Sequence, residues 1–261
     1  MTIPQYSFAK VVGVWAAAAL PMGLLGWVAN PWLARSIDGA SGIHGTARLL
    51  LLTVGLVWQF VLTLILVRRE SPALAWSVLR ERLWLGAPKN PRTGRPDARL
   101  WFWLALLVPL FGLSVFVIAP ALDGVWLTAF PSLAEPAEYS VASLLEGPGS
   151  RALEGAWWFF GLFLLLAVFN TVLGEELLFR GLLLPRMQGA FGRWDWLANG
   201  VLFGIYHVHQ PWGLPSSVLD GVLLFALPTK LWRCAWVGIA VHSAQSAFFA
   251  LVLLPAFVKS A

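Results

Sequence analysis

The chain has 261 residues, 59% of them hydrophobic and 12% charged, with 16 tryptophans. That balance excludes an ordinary soluble globular domain and points to a polytopic membrane protein, counted in spans of about 20 residues rather than in soluble domains. The net charge of +5 does not indicate nucleic acid, because the basic residues collect in loops beside apolar runs, as the positive-inside rule requires.

The first span is expected over residues 11–29, behind Lys10, and reads as an uncleaved helix rather than a signal peptide because further spans follow. Pro31 and the glycines from Gly39 to Gly45 mark a loop, and a second span over residues 49–67 is closed by Arg68 and Arg69. Residues 68–99 carry eight basic side chains against three acids, which places that loop in the cytoplasm; within it residues 72–85 suit a short interfacial helix anchored by Trp76 and Trp84. A third span is expected over residues 100–118. The acidic stretch 119–154, with Asp123, Glu135, Glu138, Glu146 and Glu154 against Arg151 alone, belongs outside.

A fourth helix, 156–184, runs up to Pro185. The fifth, 194–209, ends at Gln210-Pro211; the sixth, 216–227, is short for a span and reads as tilted or partly re-entrant; the seventh covers 234–258. The expected architecture is an all-α bundle of about seven spans, six to eight. N-terminal helices with a basic loop (1–118) and an extracytoplasmic loop (119–155) precede a helical core (156–261), all in one membrane domain.

The fourth helix holds the unusual chemistry, since ionisable groups at membrane depth are costly and mark functional sites. Glu176 and Arg180 are four residues apart and can pair on one face, while Glu175 points about 100° away and keeps its carboxylate free. His207 shares a face with Phe203 and Asn199, and His242 precedes Gln245 and Ser246 by three and four residues. At about 1.5 Å per residue from the cytoplasmic helix ends, Glu175, His207 and His242 lie at depths of about 14, 20 and 12 Å, so the three can converge in one cavity. A buried glutamate beside a histidine suits water activation, and a second histidine with a polar neighbour suits oxyanion binding.

These residues form three ordered motifs, Glu175-Glu176-Leu-Leu-Phe-Arg180, Phe203-Gly-Ile-Tyr-His207 and His242-Ser-Ala-Gln-Ser246. In them the segment 156–254 resembles the CAAX prenyl protease and bacteriocin-processing family, the intramembrane glutamic endopeptidases related to the type II CAAX prenyl protease. The resemblance implies Glu175 as general base acting with His207, Glu176 and Arg180 in support, and His242 with Ser246 as oxyanion donors. Ser246 stands where that family usually has Asn; a hydroxyl is shorter than a carboxamide, and Gln245 is a substitute donor. Phe203, Asn199 and His209 are expected in supporting or boundary roles, and Asp220 as a solvated or capping residue.

The expected partners are a protein or peptide substrate in the membrane and the lipid bilayer, with no nucleic acid and no cofactor; the oligomeric state is left open. The substrate is expected to enter from the membrane or the cytoplasmic side, as a prenylated C-terminus, a leader peptide or a C-terminal sorting tail. The Arg- and Trp-rich composition without organellar signals suits a bacterial inner membrane. Two other classes stand beside this one: a non-catalytic immunity or scaffold protein of the same fold, and a proton-coupled transporter using the acids and histidines as a relay. No metal is expected, since His207 and His209 are two apart on a helix and no HExxH occurs.

Overall fold

The computed structural model describes residues 3–71, 73–140, 145 and 147–258. Pro72 and Glu146, assigned above to the interfacial helix and the acidic loop, lie outside them, and of Glu138 only the backbone is described. In chain order the helices are α1 (Phe8–Ser41), α2 (Thr46–Glu70), α3 (Trp76–Arg82), α4 (Ala98–Ala129), α5 (Gly147–Leu153), α6 (Trp157–Arg186), α7 (Asp195–Tyr206), α8 (Pro211–Trp232) and α9 (Ala235–Phe257). Six of them, α1, α2, α4, α6, α8 and α9, are long and apolar enough to cross a membrane. The protein is an all-helical integral membrane protein. Among the described residues there is no strand, only a lone bridge between Lys89 and Pro96.

Three expected boundaries are corrected, and prolines account for them. Pro31 and Pro120 do not end α1 and α4. Each follows a wide π-type turn, Leu25–Ala29 and Ser114–Ile118, and opens the next helical segment at a first-turn position. There its missing N–H removes no needed hydrogen bond. The true end of α1 is Gly42, which takes φ +71°. Residues 119–129, expected in the outer loop, are therefore helix.

The third proline, Pro211, begins α8, so α8 is a full 22 residues and α7 only 12. The short element is thus α7 rather than the sixth helix, and at about 1.5 Å per residue it covers about 18 Å of a hydrocarbon layer of about 30 Å. It packs on α8 through Gly200 and Gly204: a Cβ there would lie 2.4 Å from Val222 Cα and 2.7 Å from Val218 Cα. Such small-residue contacts let helix backbones approach where lipid gives no hydrophobic drive.

Basic ends gather on one side of the bundle. The Tyr6 N–H donates to the Arg186 carbonyl, Lys89 N–H to Trp232 O and Ala235 N–H to Trp84 O, each at 2.8 Å, and Lys230 pairs with Asp195. Trp84, at φ +51°, thus caps α9 instead of anchoring a longer interfacial helix, while Trp76 on α3 stays exposed as expected. The opposite side joins Trp126 Nε1 to Pro211 O at 2.9 Å and Gly155 N–H to Phe257 O at 3.1 Å.

Candidate active site

The site forms where α6 is deformed. Two π-helical stretches, Phe169–Gly174 and Leu177–Leu183, flank Glu175 and Glu176. Such widened turns recur at functional sites. Gly174 permits this one, because a Cβ there would meet Phe169 O at 2.5 Å and the Leu56 carbonyl of α2 at 2.9 Å.

Glu175 is 2% exposed and lines a cavity of about 270 Å³ together with Asn170, His207, His209, His242 and Gln245. Its Oε1 stands 4.0 Å from His207 Nε2. His207 is the residue that ends α7, its N–H bonded to Gly204 O, and its Nδ1 lies 3.0 Å from the Phe203 carbonyl. A carbonyl only accepts, so Nδ1 carries a proton and Nε2 presents its lone pair toward Glu175.

Glu176 turns the other way. Its Oε1 lies 3.3 Å from Arg180 Nη1 and 3.1 Å from His242 Nδ1, all three groups being buried. The guanidinium sits 3.9 Å over the Phe203 ring and donates to Gly221 O at 3.3 Å. Phe225 stacks on His242 with ring centres 4.8 Å apart. Phe203 therefore ties the first motif to the second, with its edge also 4.9 Å from the His207 ring centre.

The structure brings Glu175, His207 and His242 to one cavity and places Glu176, Arg180 and Phe203 behind them. Ser246 is not brought in: it is half-buried and does not line the cavity, whereas Gln245 does. His209 lines the cavity and stacks on His207 at 5.7 Å. Asn199 is buried and donates to Phe179 O at 2.8 Å, a packing role. Asp220 is corrected: it is buried, accepts from Ser114 at 2.5 Å and lines the cavity. Among the described residues no three His, Cys, Asp or Glu side chains are grouped so as to hold a metal ion.

Two polar residues had no assigned role in the sequence. Asn170, with its amide nitrogen toward Glu175, donates to Oε1 at 2.9 Å and Oε2 at 3.2 Å. Tyr206 accepts from Gln59 at 2.6 Å, which leaves its own proton for the Glu175 carboxylate. In an α-helix residues five apart diverge by about 140°. In the π-helical turn five residues nearly close one revolution, which is what places Asn170 on the face of Glu175.

Residues 156–248 match the family model for type II CAAX prenyl endopeptidase, Rce1-like. The helical core is Rce1-like. The matched segment begins just before α6 and ends within α9, so it contains Glu175, Glu176, Arg180, His207 and His242. No curated protein and no solved structure matches the chain. The Rce1-like core makes this chain a protease-type hydrolase of the membrane, acting on a membrane-embedded peptide or protein.

Proposed function

We propose that this chain is a glutamic intramembrane endopeptidase in which Glu175 activates a water molecule. The observation that carries the reading is the pairing of Glu175 and His207 across 4.0 Å in one cavity. That gap is longer than a hydrogen bond and suits a water held by both groups. Both groups accept, so the water directs a lone pair at the carbonyl carbon of a bound peptide. Its proton passes to Glu175 as the new C–O bond forms, and from Glu175 to the leaving amine as the C–N bond breaks.

The oxyanion falls to His242 and Gln245. Because His242 Nδ1 faces a carboxylate, that nitrogen carries a proton, and Nε2 donates only from the doubly protonated ring. Glu176 balances the imidazolium, and Arg180 balances Glu176. Asn170 and Tyr206 hold the Glu175 carboxylate in register. No side-chain nucleophile and no cofactor enters the reaction. The chain's basic loops and tryptophan content support placement in a bacterial inner membrane.

The test compares, by mass spectrometry, the termini of all membrane-associated proteins in cells carrying the native chain and cells carrying Glu175→Gln at equal level. A set of proteins that stays uncut only with Glu175→Gln is the expected result. Identical termini in the two strains would refute catalysis by Glu175.

A further inference from the structure

The route to Glu175 is blocked on the basic side and open on the other. Every residue from Gly174 to Met187 is buried. Beneath them lies a closed polar cluster: Arg186, wholly buried, donates to Glu70 at 2.7 and 3.1 Å, to Leu182 O at 2.8 Å and to Arg82 O at 3.1 Å. Arg82 and Tyr6 complete it, each bonded to Glu70. Burial and the Glu70 carboxylate hold the Tyr6 phenol well above its ordinary value, so it stays a neutral donor.

On the far side the cavity continues from Glu175 past His207, His209 and Gln210 to Ser216 and Ser217, where α7 has ended and α8 begins. Non-helical backbone at membrane depth is tolerated where it lines protein or a water-filled cavity, and residues 207–210 are such a stretch. The charge distribution identifies the two sides. The blocked side carries the basic loop 68–99 with Arg193, Lys230 and Arg233; the open side carries Asp38, Asp123, Glu135 and Glu154. By the positive-inside rule the open side is extracytoplasmic.

From this we infer that the cavity is served from the extracytoplasmic half of the membrane, and that its substrates are outer-side segments of exported or integral membrane proteins, not cytoplasmic tails. The inference rests on the peptidase reading, and it replaces the cytoplasmic entry expected from the sequence. A second, apolar cavity of about 150 Å³ between α4 and α9 shares Phe111, Val115 and Gln245 with the first and extends past Phe116 and Phe248. A spanning segment of the substrate can come alongside there from the lipid while its outer end bends into the polar cavity.

Two measurements test this. In intact spheroplasts expressing the full chain, a membrane-impermeant maleimide is applied to Ser217→Cys and, as the opposite reference, Thr93→Cys in the basic loop. The native Cys234 stays silent, being buried with its thiol pushed up to about 11. Labelling of Ser217→Cys without permeabilisation, with Thr93→Cys labelled only after it, is the expected result. Labelling of Ser217→Cys only after permeabilisation, or not at all, overturns the inference without reference to activity.

The second measurement reads the cut positions in the terminus comparison with Glu175→Gln. Cuts on the extracytoplasmic side support the inference. Cuts in cytoplasmic tails overturn it while leaving the peptidase reading standing, and identical termini overturn both.

Discussion

His242 Nδ1 stands 3.1 Å from Glu176 Oε1, so the second carboxylate of the adjacent pair is the partner of the second histidine. The two glutamates thus serve two histidines, Glu175 with His207 and Glu176 with His242, and they do so because adjacent residues on a helix face in different directions. On this arrangement Glu176→Gln removes the charge that balances a protonated His242 while keeping the size of the side chain. Cleavage is expected to lose about 10²- to 10⁴-fold in kcat with little change in KM, measured in proteoliposomes. A loss confined to KM would assign Glu176 to substrate binding instead.

Gly238 provides a second route to the same group. A Cβ there would lie 2.6 Å from Glu176 Oε2 and 3.1 Å from Thr229 Oγ1, so Gly238→Ala is expected to displace the carboxylate and reduce cleavage by at least about tenfold, since small misplacements of a catalytic group are costly. The bundle remains folded because side-chain atoms can give way. Gly200→Ala is expected to do the reverse, lowering thermal stability first, because its Cβ would meet the Val222 backbone at 2.4 Å. Thermal unfolding in detergent, set beside cleavage rate, separates the two.

Asn170 and Ser246 exchange importance between sequence and structure. Asn170→Leu is expected to cost about 10²-fold in kcat, the usual scale for a lost donor at a reacting charge, whereas Ser246→Ala stays within about twofold because that side chain does not line the cavity. Parallel rate measurements on the two variants check both statements.

The spacing in the sequence made much of this site readable. Glu176 and Arg180 pair because four residues close an α-helical turn, and the same periodicity placed Phe203 beside His207. Asn170 was illegible because its contact depends on a π-type turn, whose period an α-helical reading does not contain. Gln59 reaches Tyr206 from α2, a contact that only tertiary packing creates. Pro31, Pro120 and Pro211 were read as stops, but each opens a helical segment, which lengthened α1 and α4 and moved the short helix from the sixth to α7. Asp220 was taken as solvated because its partner Ser114 lies 106 residues away.

The cluster that closes the cytoplasmic side also bears on stability. Arg186→Met leaves Glu70 with fewer buried partners and is expected to destabilise the protein by about 3–5 kcal/mol, the range for breaking a buried ion pair from one side. Tyr6→Phe removes one hydrogen bond and is expected to cost about 1 kcal/mol. Unfolding midpoints of the purified variants in the same detergent check the order.

The measurement closest to the central claim is the rate of peptide-bond cleavage by purified Glu175→Gln in proteoliposomes, on a substrate identified from the terminus comparison and beside the unmodified protein. A side chain that takes the water's proton cannot be replaced by a neutral amide, so the rate is expected to fall by at least about 10³-fold while substrate still binds. Cleavage within about tenfold of the unmodified protein would contradict the account and require another base.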